Sequence, residues 1–168
     1  MKPNAISLAN YFVDLAASSH KEIFQFGLMK RVYIAHGFCL ALLDRTALDP
    51  RFDVVEAWKN GPVIPSVYHS FKHNASDGIT NKSFFVTKIH PDGKLEFKTP
   101  ILEDIEFKDI ADFVWRRYFD FTDFELVNLT HRKGTPWFLC YEEGRNNPIP
   151  DLYTKTFYKK LIRTWEQN

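Results

Sequence analysis

The sequence predicts a mainly α fold, α+β in the strict sense, with five or six helices and one small β-hairpin in a single domain spanning residues 1–168. Three observations carry that expectation. Apolar residues recur at helical spacing over several long stretches, and a Pro-Asp-Gly turn separates two short β-rich runs. A chain of 168 residues that is 45% hydrophobic and 16% aromatic can also bury one substantial core.

Between Ala5 and Ser18, Ile6, Ala9, Val13 and Ala16 recur at spacings of three and four, which predicts a helix with a wide apolar face. Leu28, Val32, Ala35, Cys39 and Leu42 then repeat four, three, four and three residues apart. Ile34, Phe38 and Ala41 make the other side of this helix apolar too, so it is expected at the centre of the fold, ending near Asp44. Gly37 inside it sacrifices about 1 kcal/mol relative to alanine, and the expected return is close approach of a neighbouring backbone. Val54 and Val55 lend β character to the run from Phe52 to Trp58. Gly61-Pro62-Val63-Ile64-Pro65 excludes regular helix, because each proline pushes the residue before it toward extended geometry, and a rigid loop is expected. Pro65 suits the first turn of a helix that turns Val67, Tyr68 and Phe71 inward.

Residues 84–89 and 94–98 flank His90-Pro91-Asp92-Gly93, which predicts a hairpin at a sheet edge. Residues 103–118 read as a long helix with Ile110, Phe113, Val114 and Tyr118 inward and Glu103, Asp104, Glu106, Asp109 and Asp112 outward. Thr122-Asp123-Phe124-Glu125 carries the spacing of a capping box, opening a helix that runs to about His131. Pro136, Gly144, Pro148 and Pro150 are expected to keep the chain irregular until Phe157, Leu161 and Trp165 mark a closing helix.

Lysine plus arginine (22) nearly balances aspartate plus glutamate (21), so no global field draws in a polyanion, and nucleic acid is not an expected partner. Cys39 and Cys140 lie far apart without metal-ligand spacing, which suits free, buried thiols in a reducing compartment. The polar residues of the opening Met1-Lys2-Pro3-Asn4 argue against a secretory signal, and the uncharged run 32–43 is shorter than the ~20 residues that span a bilayer. A cytoplasmic location with no membrane contact is the expectation.

Candidate chemistry is sparse. His69 and His73 have the i, i+4 spacing of a zinc pair, yet no third ligand accompanies them, so they read as solvated helix histidines and no metal is expected. Cys39 or Cys140 with His36 or His131 could form a nucleophile and base, but both thiols sit among apolar neighbours, where the thiolate is disfavoured. No glycine-rich phosphate loop is present, so no cofactor is expected, and no spacing selects a catalytic carboxylate pair. The most informative segment is Glu56 to Tyr68, which joins Trp58 to a loop stiffened by Pro62 and Pro65. It reads either as a core plug with a brace or as a preorganised docking surface with an aromatic anchor.

Together with Leu28-Met29-Lys30-Arg31-Val32-Tyr33-Ile34-Ala35 upstream, that segment resembles the SocA-like antitoxin family, also called the Panacea domain or GepA-like phage-associated protein. Its second block, Ala57-Trp58-Lys59-Asn60-Gly61-Pro62-Val63-Ile64-Pro65-Ser66-Val67-Tyr68, is almost intact, and Leu129-Thr130-His131 followed by Pro136-Trp137 matches a third. Arg31-Val32 stands where the family usually has two leucines, and four residues separate His131 from Pro136. The resemblance implies a non-enzymatic antitoxin that binds and neutralises a toxin encoded by an adjacent gene in a bacterium or prophage. An alternative mode implied for the family is an adaptor that delivers its bound protein to an ATP-dependent protease, and a homo-oligomer is compatible with either. For the protein partner the expected contacts are Trp58, Gly61, Pro62, Pro65, Tyr68, His131 and Trp137, with Asp109 and Asp112 from the acidic helix face.

Overall fold

The structure, a computed structural model, describes residues 4–74 and 77–167. Its organising element is α2, Gln25–Phe38, in which every residue except Phe26 is buried. The two-sided apolar pattern predicted this enclosure, since a helix without a solvated face must be covered all round. A turn of π-helix, Cys39–Leu43, extends α2 and ends at Asp44 in the left-handed region (φ 54°). The helical run Gln25–Leu43 is 19 residues and is long and apolar enough to cross a membrane, more so than the uncharged run 32–43 suggests. Most of it is enclosed by protein, and it carries Lys30 and Arg31, so its place here is that of a central core helix.

Five helices pack against α2: α1 (Ala5–Ser18), α3 (Pro65–Phe71), α4 (Ile105–Arg117), α5 (Asp123–His131) and α7 (Asp151–Glu166). Local chemistry sets their starts. Asn4 and Ser7 form a reciprocal capping box on α1, Thr122 and Glu125 form the predicted one on α5, and Asp104 caps α4 at the amide of Phe107. Pro65 occupies the first turn of α3 as expected. Two expectations need correction. α7 begins at Asp151, well before Phe157, because Pro150 at the N-cap is already extended and leads directly into the helix. The stretch after Thr135 also contains a short helix, α6 (Pro136–Cys140), started by the Thr135 cap and by proline in the first turn, so seven α-helices are present among the described residues.

Gly37 faces the ring of Tyr158 on α7, and a Cβ built there would lie 2.2 Å from it. The close neighbour is therefore a buried side chain and not a backbone. Tyr33, Phe38 and Phe113 continue this aromatic seam with Tyr158 and Trp165, in mostly edge-on or tilted contacts.

The expected rigid loop at 61–65 is partly a strand. β1 (Glu56–Trp58) pairs antiparallel with β2 (Gly61–Val63) on one side and with β5 (Asn147–Pro148) on the other. Extended geometry imposed by the prolines is what lets this segment join a sheet. The second hairpin, β3 (Phe85–Ile89) with β4 (Leu95–Lys98), forms at the predicted place, but as a separate two-stranded ribbon and not at the edge of a larger sheet. Both of its legs are held by Asn10 of α1, whose amide nitrogen donates to Ser83 O (2.9 Å) and Pro100 O (3.0 Å) and whose oxygen accepts from Ser83 N (2.8 Å).

Candidate functional site

Three stretches far apart in sequence meet at the β1–β2 turn. From below comes Lys30 of α2, fully enclosed, whose ammonium donates to the carbonyl of Pro62 at 2.8 Å. Above it, Gly61 has φ 103°, and a Cβ there would sit 2.8 Å from Lys30 Nζ and 3.2 Å from His131 Cβ. Only glycine meets both demands. From the side, Trp137 of α6 donates its indole N–H to the carbonyl of Trp58 (2.7 Å), meets His131 edge-on at 4.8 Å and stacks on Tyr141 at 4.6 Å. Trp58 in turn rests against Tyr68 of α3, with ring centroids 5.0 Å apart, and donates its own N–H to the Glu56 carboxylate at 2.7 Å.

The charges beneath this node are unusual. Burial pushes the Lys30 ammonium down to about 7, because an enclosed cation loses its hydration. Arg31 is buried beside it and donates to the carbonyl of Tyr118 at 3.0 Å. Burial lowers it to about 10, with the Asp123 carboxylate acting in the opposite direction. A lysine whose folded value lies below its unfolded one binds fewer protons in the folded state, so its contribution to stability rises with pH above about 7. Between pH 7 and 9 the wild type should gain about 2 kcal/mol of unfolding free energy relative to Lys30→Met. Urea denaturation of both proteins at the two pH values reads this directly, and parallel pH profiles would contradict a neutralising lysine.

The surface around the node is aromatic and apolar at its rim. Trp58, Pro65, Tyr68 and His131 are half-buried; Lys59, Asn60, His69, Phe138 and Leu139 are exposed. Gly61, Pro62 and Trp137, expected as contacts, are buried, so their part is to hold the rim from beneath. Trp137, and not Trp58, is the aromatic that plugs the core here. Asp109 of α4 is exposed, whereas Asp112 is half-buried and accepts the Tyr11 hydroxyl at 3.0 Å. Asp104 and Glu106 both engage Arg45, which neutralises much of the acidic face they were expected to present.

Nucleophile chemistry has little to build on. Burial pushes the Cys39 thiol up to about 12, and raises that of Cys140, which is half-buried and not fully buried as expected. His36 lies one helical turn from Cys39, but its Nε2 is 3.0 Å from Asp151 Oδ1 at the start of α7. His69 and His73 are both exposed, and no group of three His, Cys, Asp or Glu side chains among the described residues is placed to hold a metal ion.

Residues 28–138 match the family described as antitoxin SocA-like, Panacea domain, a span that contains all three convergent blocks. The chain belongs to the SocA-like antitoxin family. Antitoxin SocA of Caulobacter vibrioides (strain NA1000 / CB15N) is 31% identical over 137 residues, which cover 80% of this chain and 68% of that protein. No solved structure matches this chain significantly.

The Panacea domain match and the geometry agree on what the blocks do together: they build one node from α2, the β1–β2 turn and the α5–α6 junction. Sequence reasoning quoted Lys30 and Arg31 without giving them a role. The available signal was a pair of charges in a helix with no polar face, which forces either burial with partners or a break in the helix. Asn10 on the apolar face of α1 carried the same signal.

Proposed function

We propose that this Panacea domain is a non-catalytic antitoxin that neutralises a cognate protein toxin, encoded beside it, by direct binding in the cytoplasm. The observation that carries this reading is the family assignment over 28–138, whose blocks fold into a single braced node with an exposed aromatic and apolar rim. Such a rim, held by buried Lys30 and Trp137, is a preorganised surface, and preorganisation lowers the ordering cost of binding. Trp58, Pro65, Tyr68 and His131 supply the central contacts, Gly61, Pro62 and Trp137 set their positions, and Asp109 with Asp112 on α4 offers a separate acidic contact to a basic region of the toxin.

Co-expression with the neighbouring open reading frame tests the reading. The toxin alone should arrest growth, co-expression should restore it, and the two chains should copurify. Tyr68→Ala and Asp109→Lys should weaken the complex while leaving the thermal transition within a few degrees of wild type. Absence of any rescuing or copurifying neighbour would defeat the proposal. A toxin whose half-life falls only when an ATP-dependent protease is present would replace sequestration with delivery.

A further inference from the structure

The β3–β4 ribbon carries an apolar face that remains largely exposed. In the ladder Val86 pairs with Phe97 and Ile89 with Leu95. Leu95 and Phe97 are two residues apart on β4 and share a face. Val86 and Ile89 are three apart on β3 and would fall on opposite faces of a regular strand. The register shift between Val86 and Lys88 inserts Thr87 as an extra residue and returns Ile89 to the face of Val86. Phe84 joins them through an edge-on contact with Phe97 at 5.1 Å. The result is one face made of Phe84, Val86, Ile89, Leu95 and Phe97, all between 46% and 73% exposed. Lys88 and Glu96 pair on the opposite face, where Phe85 pairs with Lys98.

An amphipathic ribbon of this kind is half of a two-layer sheet. Two strands alone are marginally stable, and their apolar face ordinarily packs on a second layer about 10 Å away. Here Asn10, buried at the root, ties both legs of the arm to α1, and Lys82 pairs with Asp14 beside it, so the face is presented in a set direction. The five side chains expose on the order of 500 Å². Two such faces packed together bury at most about 1,000 Å², the threshold that a specific interface has to reach. The face holds no charged or polar side chain that would select a different partner, and identical apolar faces need none to fit about a two-fold axis.

We propose that this face joins two copies of the chain, ribbon on ribbon, in a symmetric dimer. The dimer is independent of the antitoxin reading, because it needs only this chain and uses none of the node's residues. Sedimentation velocity of the full chain from about 1 to about 100 µM should show a species of twice the 19.7 kDa monomer mass as concentration rises. Ile89→Glu and Phe97→Glu, each on the apolar face, should weaken self-association more than about tenfold with the circular dichroism spectrum unchanged. Lys88→Glu, on the other face, should leave it intact. A wild type that stays monomeric at about 100 µM would overturn the proposal and leave the face to a different protein, and so would a dimer indifferent to both apolar-face substitutions.

Discussion

Replacing Gly37 with alanine should destabilise the protein by about 2–3 kcal/mol, although helix propensity alone favours the change by about 1 kcal/mol. The opposing term is steric. The new Cβ would fall 2.2 Å from the ring of Tyr158, which is itself 3% exposed and boxed in by Tyr33, Phe38 and Phe157. The cavity beside this ring, shared with Tyr33, Leu129 and Leu161, is only about 20 Å³, too small to take the displaced ring, so relief requires α7 to shift away from α2. Chemical denaturation should show a lower midpoint with an unchanged slope. In the Tyr158→Leu background the same substitution should cost much less, giving a double-mutant coupling above about 1 kcal/mol. A neutral or stabilising Gly37→Ala would mean that the α2–α7 contact is looser than its geometry states.

Trp137→Ala is expected to be the most damaging change at the node, costing about 3–5 kcal/mol. Its indole is 7% exposed and combines core burial, a stack on Tyr141, an edge contact with His131 and the N–H bond to the Trp58 carbonyl. Trp58→Ala should cost about half as much, because that ring is half-buried and already borders solvent. Trp137→Phe isolates the hydrogen bond and should lose about 1 kcal/mol beyond the small change in buried area. Denaturation midpoints of the three variants rank these effects, and a Trp58→Ala more harmful than Trp137→Ala would reverse the assignment of plug and rim.

Much of the architecture was legible because it is written in local interactions. The capping box at Thr122 and Glu125 depends on four consecutive residues, and it forms as read. The hairpin around His90-Pro91-Asp92-Gly93 follows from turn chemistry, with Gly93 at φ 83°. Where local signals were weak, the reading failed in a consistent way. Prolines at 136 and 150 read as breakers in the sequence, yet proline breaks a helix only in its interior and is well suited to its start. The β character of residues 52–58 does appear as β1, whereas residues 61–65 read as a loop because a three-residue strand carries too little periodicity to announce itself. The candidate interface was half legible. Its blocks were recognisable, but which members face solvent was not, because Gly61 and Pro62 are covered by Lys30 of α2 and His131 of α5, and Trp137 closes against Trp58, all tens of positions away.

From the sequence alone came the mainly α class, the starts of α1, α3 and α5, the centrality of α2 and the kinship with SocA-like antitoxins. These rest on periodicity, caps and block order, which are properties of neighbouring residues. Only the tertiary structure decided that Lys30 lies beneath the Pro62 carbonyl as a desolvated cation, that Tyr158 fills the notch at Gly37, and that the bulge gathers five apolar side chains on one side of the β3–β4 ribbon. Each of these depends on which distant segment comes into contact. Burial, and with it charge state and exposed area, is a property of the assembled packing.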